Sequence, residues 1–374
     1  MKILFVVCGE GLGHASRCLH LGHYIQQQGH TVHFATYGKS YDFIDQHGCS
    51  NMHRMPREVC LEGEDGFFSL KKTLWCSKWI VADMVRSMLN VRKIIRDHAI
   101  DCVVCDTMYG GVLAARITKT PVVFITNQNH FNGVGGKTNP VWKVLNFLIR
   151  RYIRLADTVI VPDYPPPDTV SEYNIVVPKG EEGRYHFTGP FLDVDVHRYI
   201  FCRKTVFTSF GGEPYKLPMY QMLREIADMR PDLIFDVFYT GEVLPESSLN
   251  FLSHGYVPNL YEHLAGAKIA IMHGGLTTLH EALLFEKPVL IIMDTSHPEQ
   301  QNNAKKVVDM GAGIAIDGRK VTREILEAQI AMTMNLVPKP FCNNHACIDG
   351  RRNAAAIISK SCRRDPGNIQ TTDR

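Results

Sequence analysis

Long hydrophobic runs are missing from this chain of 374 residues. No stretch of about 18 or more apolar residues occurs, so no membrane-spanning helix is expected. A strong charge of either sign is missing too. Lys and Arg number 41 and Asp and Glu 38, a formal net charge of +3, which is too small to point to nucleic acid. Internal repeats and low-complexity tracts are absent, which excludes solenoids and repeat arrays. No secretion signal is evident. Met1–Cys8 has one Lys and a short apolar run, and it passes straight into Gly9-Glu10-Gly11, as a first strand would. Metal-ligand spacings are also lacking. Glu62, Glu64 and Asp65 stand near one another without a His or Asp partner motif. Cys102 and Cys105 form a CxxC inside an apolar run, and on a strand residues three apart face opposite sides. No metal and no organic cofactor are therefore expected. The 11 cysteines are odd in number and scattered, so reduced thiols and a cytoplasmic location are the default expectation.

What is present is an ordinary globular mixture, 45% hydrophobic and 21% charged, long enough for two cores. Strand and helix patterns alternate throughout, the mark of an α/β chain with parallel sheets. Lys2–Cys8, Thr31–Thr36, Asp101–Cys105, Val122–Thr126 and Thr158–Val161 read as buried strands of a first half. Helices are expected over Ala15–Gln28, much of Phe67–Ala99, and Gly110–Thr118. Tyr164-Pro165-Pro166-Pro167 fits neither regular helix nor central strand. A second half follows with strands at Thr205–Phe210, Leu233–Thr240, Ala267–Met272 and Pro288–Met293. Its helices are expected over Leu217–Met229, Asn259–Ala265, Ala304–Met310 and Thr322–Asn335. The expected division is 1–190, 191–345, a closing helix over 346–362 and a disordered polar tail over 363–374.

The richest chemistry lies between His273 and Ala304. A strand runs into His273-Gly274-Gly275, which opens a helix carrying Thr277 and Thr278 in its first turn. The first N–H groups of a helix lack internal partners and the macrodipole favours negative charge, so this is a candidate diphosphate seat. Glu281 lies two turns after His273, placed for a ribose diol. Glu299, Gln300, Asn302 and Asn303 form a polar cluster suited to sugar hydroxyls. Contacts for phosphate, ribose and hexose thus occur together in one segment, as a nucleotide-sugar site requires.

That segment resembles the donor signature of UDP-sugar glycosyltransferases of the GT-B fold, H-C-G-W-N-S-x-x-E followed by D-Q-x-x-N-A. His273, Gly275 and Glu281 keep the first spacing; Glu299, Gln300, Asn303 and Ala304 keep the second, with Glu for Asp. Gly9-Glu10-Gly11-Leu12-Gly13-His14 is similar to the acceptor-side loop of the same fold, including the family of the lipid II-forming N-acetylglucosaminyltransferase. Thr126-Asn127-Gln128-Asn129 resembles that family's H-E-Q-N, with Asn127 replacing the acid. Arg17 stands where its G-H-x-x-P pattern has proline. Thr188-Gly189-Pro190 and Ser209-Phe210-Gly211-Gly212 match its interdomain turn and second glycine loop. The overall pattern looks most like an archaeal-type branch.

The resemblance implies two Rossmann-like domains facing a cleft and transfer of a hexose or N-acetylhexosamine from a UDP-sugar to an acceptor hydroxyl, with inversion. It implies donor contacts from Gly211, Gly212, Val257, His273, Gly274, Gly275, Thr277, Thr278, Glu281, Glu299, Gln300 and Asn303. Gly11, Gly13, Gln128 and Asn129 fall on the acceptor side. His14 suits a general base and Asp106 could orient it; each has a plain alternative, as a helix cap or, for His14, a phosphate ligand. A dinucleotide site at the first loop would need a third glycine at His14 and an acid near Ala35-Thr36-Tyr37. A UDP-N-acetylglucosamine 2-epimerase and a non-catalytic partner subunit remain as rivals. Asn139–Ala156 places Trp142, Leu145, Ile149, Tyr152, Ile153 and Ala156 at helical spacing beside Lys143, Arg150 and Arg154. This is either a peripheral membrane contact suited to a lipid-linked acceptor or an ordinary domain helix with a basic edge.

Overall fold

Near-continuous apolar runs bounded by glycine turns make strands buried on both faces, and the segments between them are long enough to cross over as helices. A computed structural model describes residues 1–58, 62–64, 67–131, 140–201, 204–211, 216–239, 246–255, 257, 259–338 and 348–363. In the first half the order is β1 (Lys2–Val7), α1 (Leu12–Gln27), β2 (Thr31–Thr36), α2 (Gly38–Gln46) and β3 (Met52–Arg54). A small hairpin, β4 (Gly63–Glu64) and β5 (Phe67–Phe68), precedes α3 (Leu70–Cys76) and α4 (Ile80–His98). Then come β6 (Cys102–Asp106), α5 (Tyr109–Thr118), β7 (Val122–Ile125), α6 (Pro140–Ile153), β8 (Thr158–Val161) and β9 (Tyr185–Phe187). The second half holds β10 (Thr205–Ser209), α7 (Leu217–Met229), β11 (Ile234–Phe238), β12 (Phe251–His254) and α8 (Tyr261–Gly266). It continues with β13 (Ala267–Met272), α9 (Leu276–Leu284), β14 (Val289–Met293), α10 (Pro298–Asp309), β15 (Gly313–Asp317), α11 (Arg323–Met334) and α12 (Gly350–Cys362).

Two parallel sheets result. The first runs β3-β2-β1-β6-β7-β8-β9 and the second β12-β11-β10-β13-β14-β15. In both, the chain works outward from one central strand, returns to that strand's other side, and works outward again. Helix α12 follows the second domain but packs on the first, where Ala354, Ala355 and Ile358 join Ile3, Phe5 and Val104 in one core. The two chain crossings between the domains touch at Gly189 and Gly350. A Cβ on Gly189 would lie 2.6 Å from Ile348 Cγ2, and one on Gly350 would strike the Gly189 carbonyl.

Several strands escaped the sequence reading, among them the β4–β5 hairpin. β9, β12 and β15 are short or half-buried, so they lack an uninterrupted apolar run. Helix α10 begins at Pro298 rather than Ala304, because proline is preorganised for a first helical turn. Glu299, Gln300 and Asn303 therefore sit on a helix rather than in a loop. Cys102 and Cys105 join different cores on opposite faces of the first sheet. The expectation of free thiols holds at Cys8, Cys18, Cys49, Cys102, Cys105 and Cys362. It fails at Cys76, which is disulfide-bonded; sequence spacing carries no information on which sulfurs approach in space. Residues 364–374, most of the expected disordered tail, lie outside the described residues.

Candidate active site at the interdomain cleft

In an open parallel sheet, ligands bind outside the carboxyl ends of the strands where the winding direction reverses. Here that point lies between β1 and β6 in one domain and between β10 and β13 in the other. Val7 pairs with Asp106 at the first and Ser209 with Met272 at the second. The Gly9–Gly13 loop and Asp106 thus share one switch point, and Gly211 and His273 share the other. The two face each other: a Cβ on Gly13, at the start of α1, would lie 3.4 Å from Thr277 Oγ1 in the first turn of α9.

On the second-domain side, α9 has Gly275 at its N-cap and no side-chain cap, so its leading N–H groups are left unclaimed by a capping side chain. Gly274 is required by close approach. A Cβ there would lie 2.5 Å from the Gln300 carbonyl oxygen, so the turn packs directly on the α10 backbone. The His273 ring is bonded by the Ser209 main chain, and its buried Nδ1 has no partner among the described residues. Burial, reinforced by the Lys216 charge, depresses its pKa to about 3, so the imidazole is neutral and can donate from one nitrogen only. Lys216 is buried, with Nζ 4.0 Å from Asp294 Oδ2. The first-domain hairpin reaches across to this place: Phe68 N donates to Asp294 Oδ2 at 2.5 Å and its ring meets His297 edge-on. Glu281 is half-buried, and among the described residues no group donates a hydrogen bond to its carboxylate. Burial raises its pKa to about 7.

The first-domain side is built around Asp106, fully buried at the end of β6. It accepts from His14 Nδ1 (2.8 Å), Arg17 Nε (2.6 Å) and Arg17 Nη2 (2.5 Å), and also from Cys18 Sγ and Thr107 Oγ1 (both 3.1 Å). Burial alone would raise this carboxyl. The charge of Arg17, with that of His14 behind it, outweighs burial and holds the pKa well below the ordinary range. With Nδ1–H donating to the ionised carboxylate, His14 keeps its Nε2 lone pair for a substrate proton; Arg17 Nη2 also lies 2.9 Å from the same Nδ1. Arg17 continues the chain of contacts: Nη1 lies 3.4 Å from Asn127 Oδ1, and Asn127 Nδ2 donates to Glu299 Oε1 across the cleft at 2.8 Å. The two acceptor-side departures from the family pattern, Arg17 and Asn127, therefore touch. An acid at position 127 would repel Glu299, whereas the amide binds it.

The fold brings most of the sequence-read residues to this cleft and withdraws others. Gly13 meets Thr277, and Asn127, in contact with Arg17 beside His14 and Asp106, meets Glu299; Gly211, His273, Gly274, Gly275 and Gln300 pack together, Gly11 caps α1, and Thr278 and Glu281 lie along α9. Buried Gln128 Nε2 and Gln300 Oε1 have no hydrogen-bond partner among the described residues. Val257 packs partly buried against the second core. Gly212 lies outside the described residues. Two assignments need correction. Asn303 is fully buried, its amide bound to the Gly274 carbonyl and to Asn174, so it braces the turn. Asn129 is likewise enclosed, pairing through both amide atoms with the Val176 main chain. In each case the polar type was legible but its direction was not. Arg17, Asn127 and Lys216 were missed as site residues; for the first two, the departures from the family pattern were the available signal.

In the amphipathic segment the apolar stripe follows the ordinary-helix alternative. In α6 the expected apolar face is turned inward, with Ile149 and Ile153 buried and Trp142 stacked on Phe131. The opposite face exposes Val144, Phe147 and Leu148 beside Lys143 and Arg151. Arg150 is half-buried, and Arg154 is paired with Glu181.

Comparison with known proteins agrees with this architecture. Residues 1–158 match the model described as glycosyl transferase family 1, and residues 239–357 match the glycosyltransferase family 28 C-terminal domain. An uncharacterized glycosyltransferase of Methanosarcina acetivorans is 33% identical over 330 residues, covering 84% of this chain and 83% of its own. The UDP-N-acetylglucosamine–N-acetylmuramyl-(pentapeptide) pyrophosphoryl-undecaprenol N-acetylglucosamine transferase of Bacillus cytotoxicus is 27% identical over 130 residues, 31% of this chain and 36% of its own. Among solved structures, the glycotransferase of kitacinnamycin superposes with a TM-score of 0.68 at 18% identity, over 96% of this chain and 98% of that one. With two parallel-sheet domains facing one cleft and relatives of this kind along its length, the chain belongs to the GT-B glycosyltransferases of the family 1 and family 28 type.

Proposed function

We propose that this glycosyltransferase moves a hexose or N-acetylhexosamine from a UDP-sugar to an acceptor hydroxyl, with inversion at the anomeric carbon. The observation that carries the reading is the juxtaposition in the cleft. His14, its Nδ1 held 2.8 Å from Asp106, belongs to the same first turn of α1 as Gly13, which faces Thr277 at the uncapped start of α9. The diphosphate sits on the α9 N-terminus with Thr277 and Thr278, beside His273 and near the buried Lys216. These groups stabilise the charge that develops on the departing UDP without a bound cation. Glu281 accepts from the ribose diol, and Val257 lies on the base side. Gln300, with its unpartnered oxygen, and Glu299 read the hexose. His14 Nε2 takes the acceptor proton as its oxygen attacks, and Asp106 stabilises the resulting imidazolium. The donor sugar named in the Bacillus relative supports N-acetylglucosamine as the first candidate.

The acceptor in this reading is lipid-linked and approached from a membrane surface. Among the described residues no helix is long and apolar enough to cross a membrane. Two adjoining helices instead expose apolar side chains. Trp79, Val81, Val85 and Leu89 of the α4 region are 63%, 67%, 42% and 51% exposed, and Val144 and Phe147 of α6 are each 61% exposed. The Tyr152 hydroxyl meets Met84 Sδ at 3.2 Å, so the helices are neighbours. An apolar patch beside Lys143 and Arg151 suits an anionic bilayer.

The test is UDP release from a panel of UDP-sugars without added acceptor, for wild type, Glu281→Ala and His14→Ala. Slow donor hydrolysis that needs Glu281 is expected, with a further loss in His14→Ala. No UDP release and no calorimetric binding of any UDP-sugar would overturn the donor assignment.

A further inference from the structure

Strand β11 contains a polar residue where a core residue is expected. Asp236 lies between Phe235 and Val237, is 5% exposed, and faces α8 on the same side of the sheet as Phe238. Two imidazoles from other elements converge on its two oxygens. His254 Nε2, from the end of β12, is 2.5 Å from Oδ1, and His263 Nδ1, from α8, is 2.6 Å from Oδ2. Phe238 walls the group, stacked on His254 with centroids 4.9 Å apart and edge-on to His263 at 4.7 Å. Ligand atoms of the three residues all lie within 4.8 Å of one another.

We propose that Asp236, His254 and His263 form a binding site for a borderline divalent cation of the Zn2+ type, distinct from the cleft. Two imidazole nitrogens and one carboxylate oxygen suit Zn2+ or Co2+; Mg2+ and Ca2+ prefer oxygen throughout. With bonds of about 2.0–2.2 Å, tetrahedral ligand atoms stand about 3.3–3.6 Å apart, so the ion enters as the present contacts open by about 1 Å. Both histidines are about 30% exposed, which gives them room to turn and leaves a coordination position for water. In the metal-free state the nitrogen of each imidazole that would bind the ion is hydrogen-bonded to the carboxylate. On binding, that nitrogen exchanges its hydrogen bond for the ion and presents its lone pair to it. His254 and His263 bracket the loop that carries Val257, so the ion pins both ends of that loop. Spacings of 18 and nine residues between the three ligands fit no metal motif, so the sequence alone raised no such expectation.

The test is calorimetric titration of the untagged full chain with Zn2+ in a non-chelating buffer, with Co2+ absorption as a second readout. One ion per chain should bind, with visible d–d bands for Co2+ and a higher Tm. Asp236→Asn and His263→Ala should weaken binding by at least about 10–100-fold, the loss that follows even from removing an outer-shell partner. His53→Ala is the control, because His33, His53 and His98 form another imidazole cluster, with ring centroids 4.9–5.4 Å apart; it should bind as wild type does. Absence of binding, equal binding by Asp236→Asn (its fold checked by far-UV dichroism), or loss in His53→Ala would each overturn the proposal. The triad would then be a hydrogen-bonded carboxylate alone.

Discussion

Replacing Asp106 with Asn tests both structural and chemical roles of one side chain. The native carboxylate is fully buried and accepts from His14, both edges of Arg17, Cys18 and Thr107. Asn keeps the volume but removes the charge and one acceptor. Arg17, itself 6% exposed, is left as a buried cation with no carboxylate against it. Breaking one side of a buried ion pair costs about 3–5 kcal/mol, which for a domain of this size lowers Tm by about 6–20 °C. The pH dependence has a definite sign. The Asp106 pKa is lower in the folded than in the unfolded chain, so its stabilisation is complete above the unfolded value of about 4 and is lost as pH falls below it. The gap between wild type and variant should therefore be constant near neutrality and narrow in acid. Catalysis should suffer separately. If the new NH2 faces His14, Nδ1 becomes an acceptor and the proton moves to Nε2, which is then no longer a base. Sugar transfer should fall about 10²–10⁴-fold while UDP affinity is unchanged. The assay pairs thermal melts at several pH values with UDP release and UDP calorimetry. A variant that melts like wild type would refute the counter-charge role. One that retains more than about a tenth of the transfer rate would refute the role in setting the His14 tautomer.

Three further outcomes are expected. Because burial holds the Glu281 pKa near 7, the folded chain keeps a proton that the unfolded chain loses from about pH 4.5; this group's contribution to stability declines between those values and is flat above. Glu281→Gln should thus melt higher than wild type at pH 8, by up to about 3 kcal/mol less the relief that solvent gives its half-exposed edge, and level with it near pH 4, while its donor KM rises. Gly274→Ala puts a methyl 2.5 Å from the Gln300 carbonyl oxygen, backbone against backbone, so a loss of about 1–3 kcal/mol and of UDP binding is expected by melt and calorimetry. Trp79→Glu with Phe147→Glu should abolish cosedimentation with anionic vesicles and leave acceptor-free UDP release intact; unchanged cosedimentation would count against the membrane face.

Much of this molecule is legible along the chain. Fully buried parallel strands must be apolar throughout, so β1, β2, β8, β10 and β13 stand out as runs, and their order implies two α/β units. The glycine turns before α1 and α9 are equally plain, because a strand that feeds a helix at close quarters needs residues without bulk. Residue chemistry pointed to phosphate, ribose and sugar at His273–Asn303, and to His14 with Asp106. What failed was direction. Asn129 and Asn303 have suitable side chains for a ligand, but backbone groups inside the fold claim them. The apolar stripe of α6 was read correctly as a stripe, yet it meets the core, while the side chains left outside are Val144, Phe147 and Leu148.

Local sequence therefore determined which segments become strands, helices and turns, since periodicity and backbone preference act over a few residues. Only tertiary structure decided which polar groups meet. Arg17 reaches Asp106 and Asn127 over separations of 89 and 110 residues, Asn127 reaches Glu299 over 172, and Asp236 gathers two histidines from different elements. Such contacts follow from how sheets and crossing helices stack, and a hydrogen bond leaves no trace in the spacing of the residues that make it.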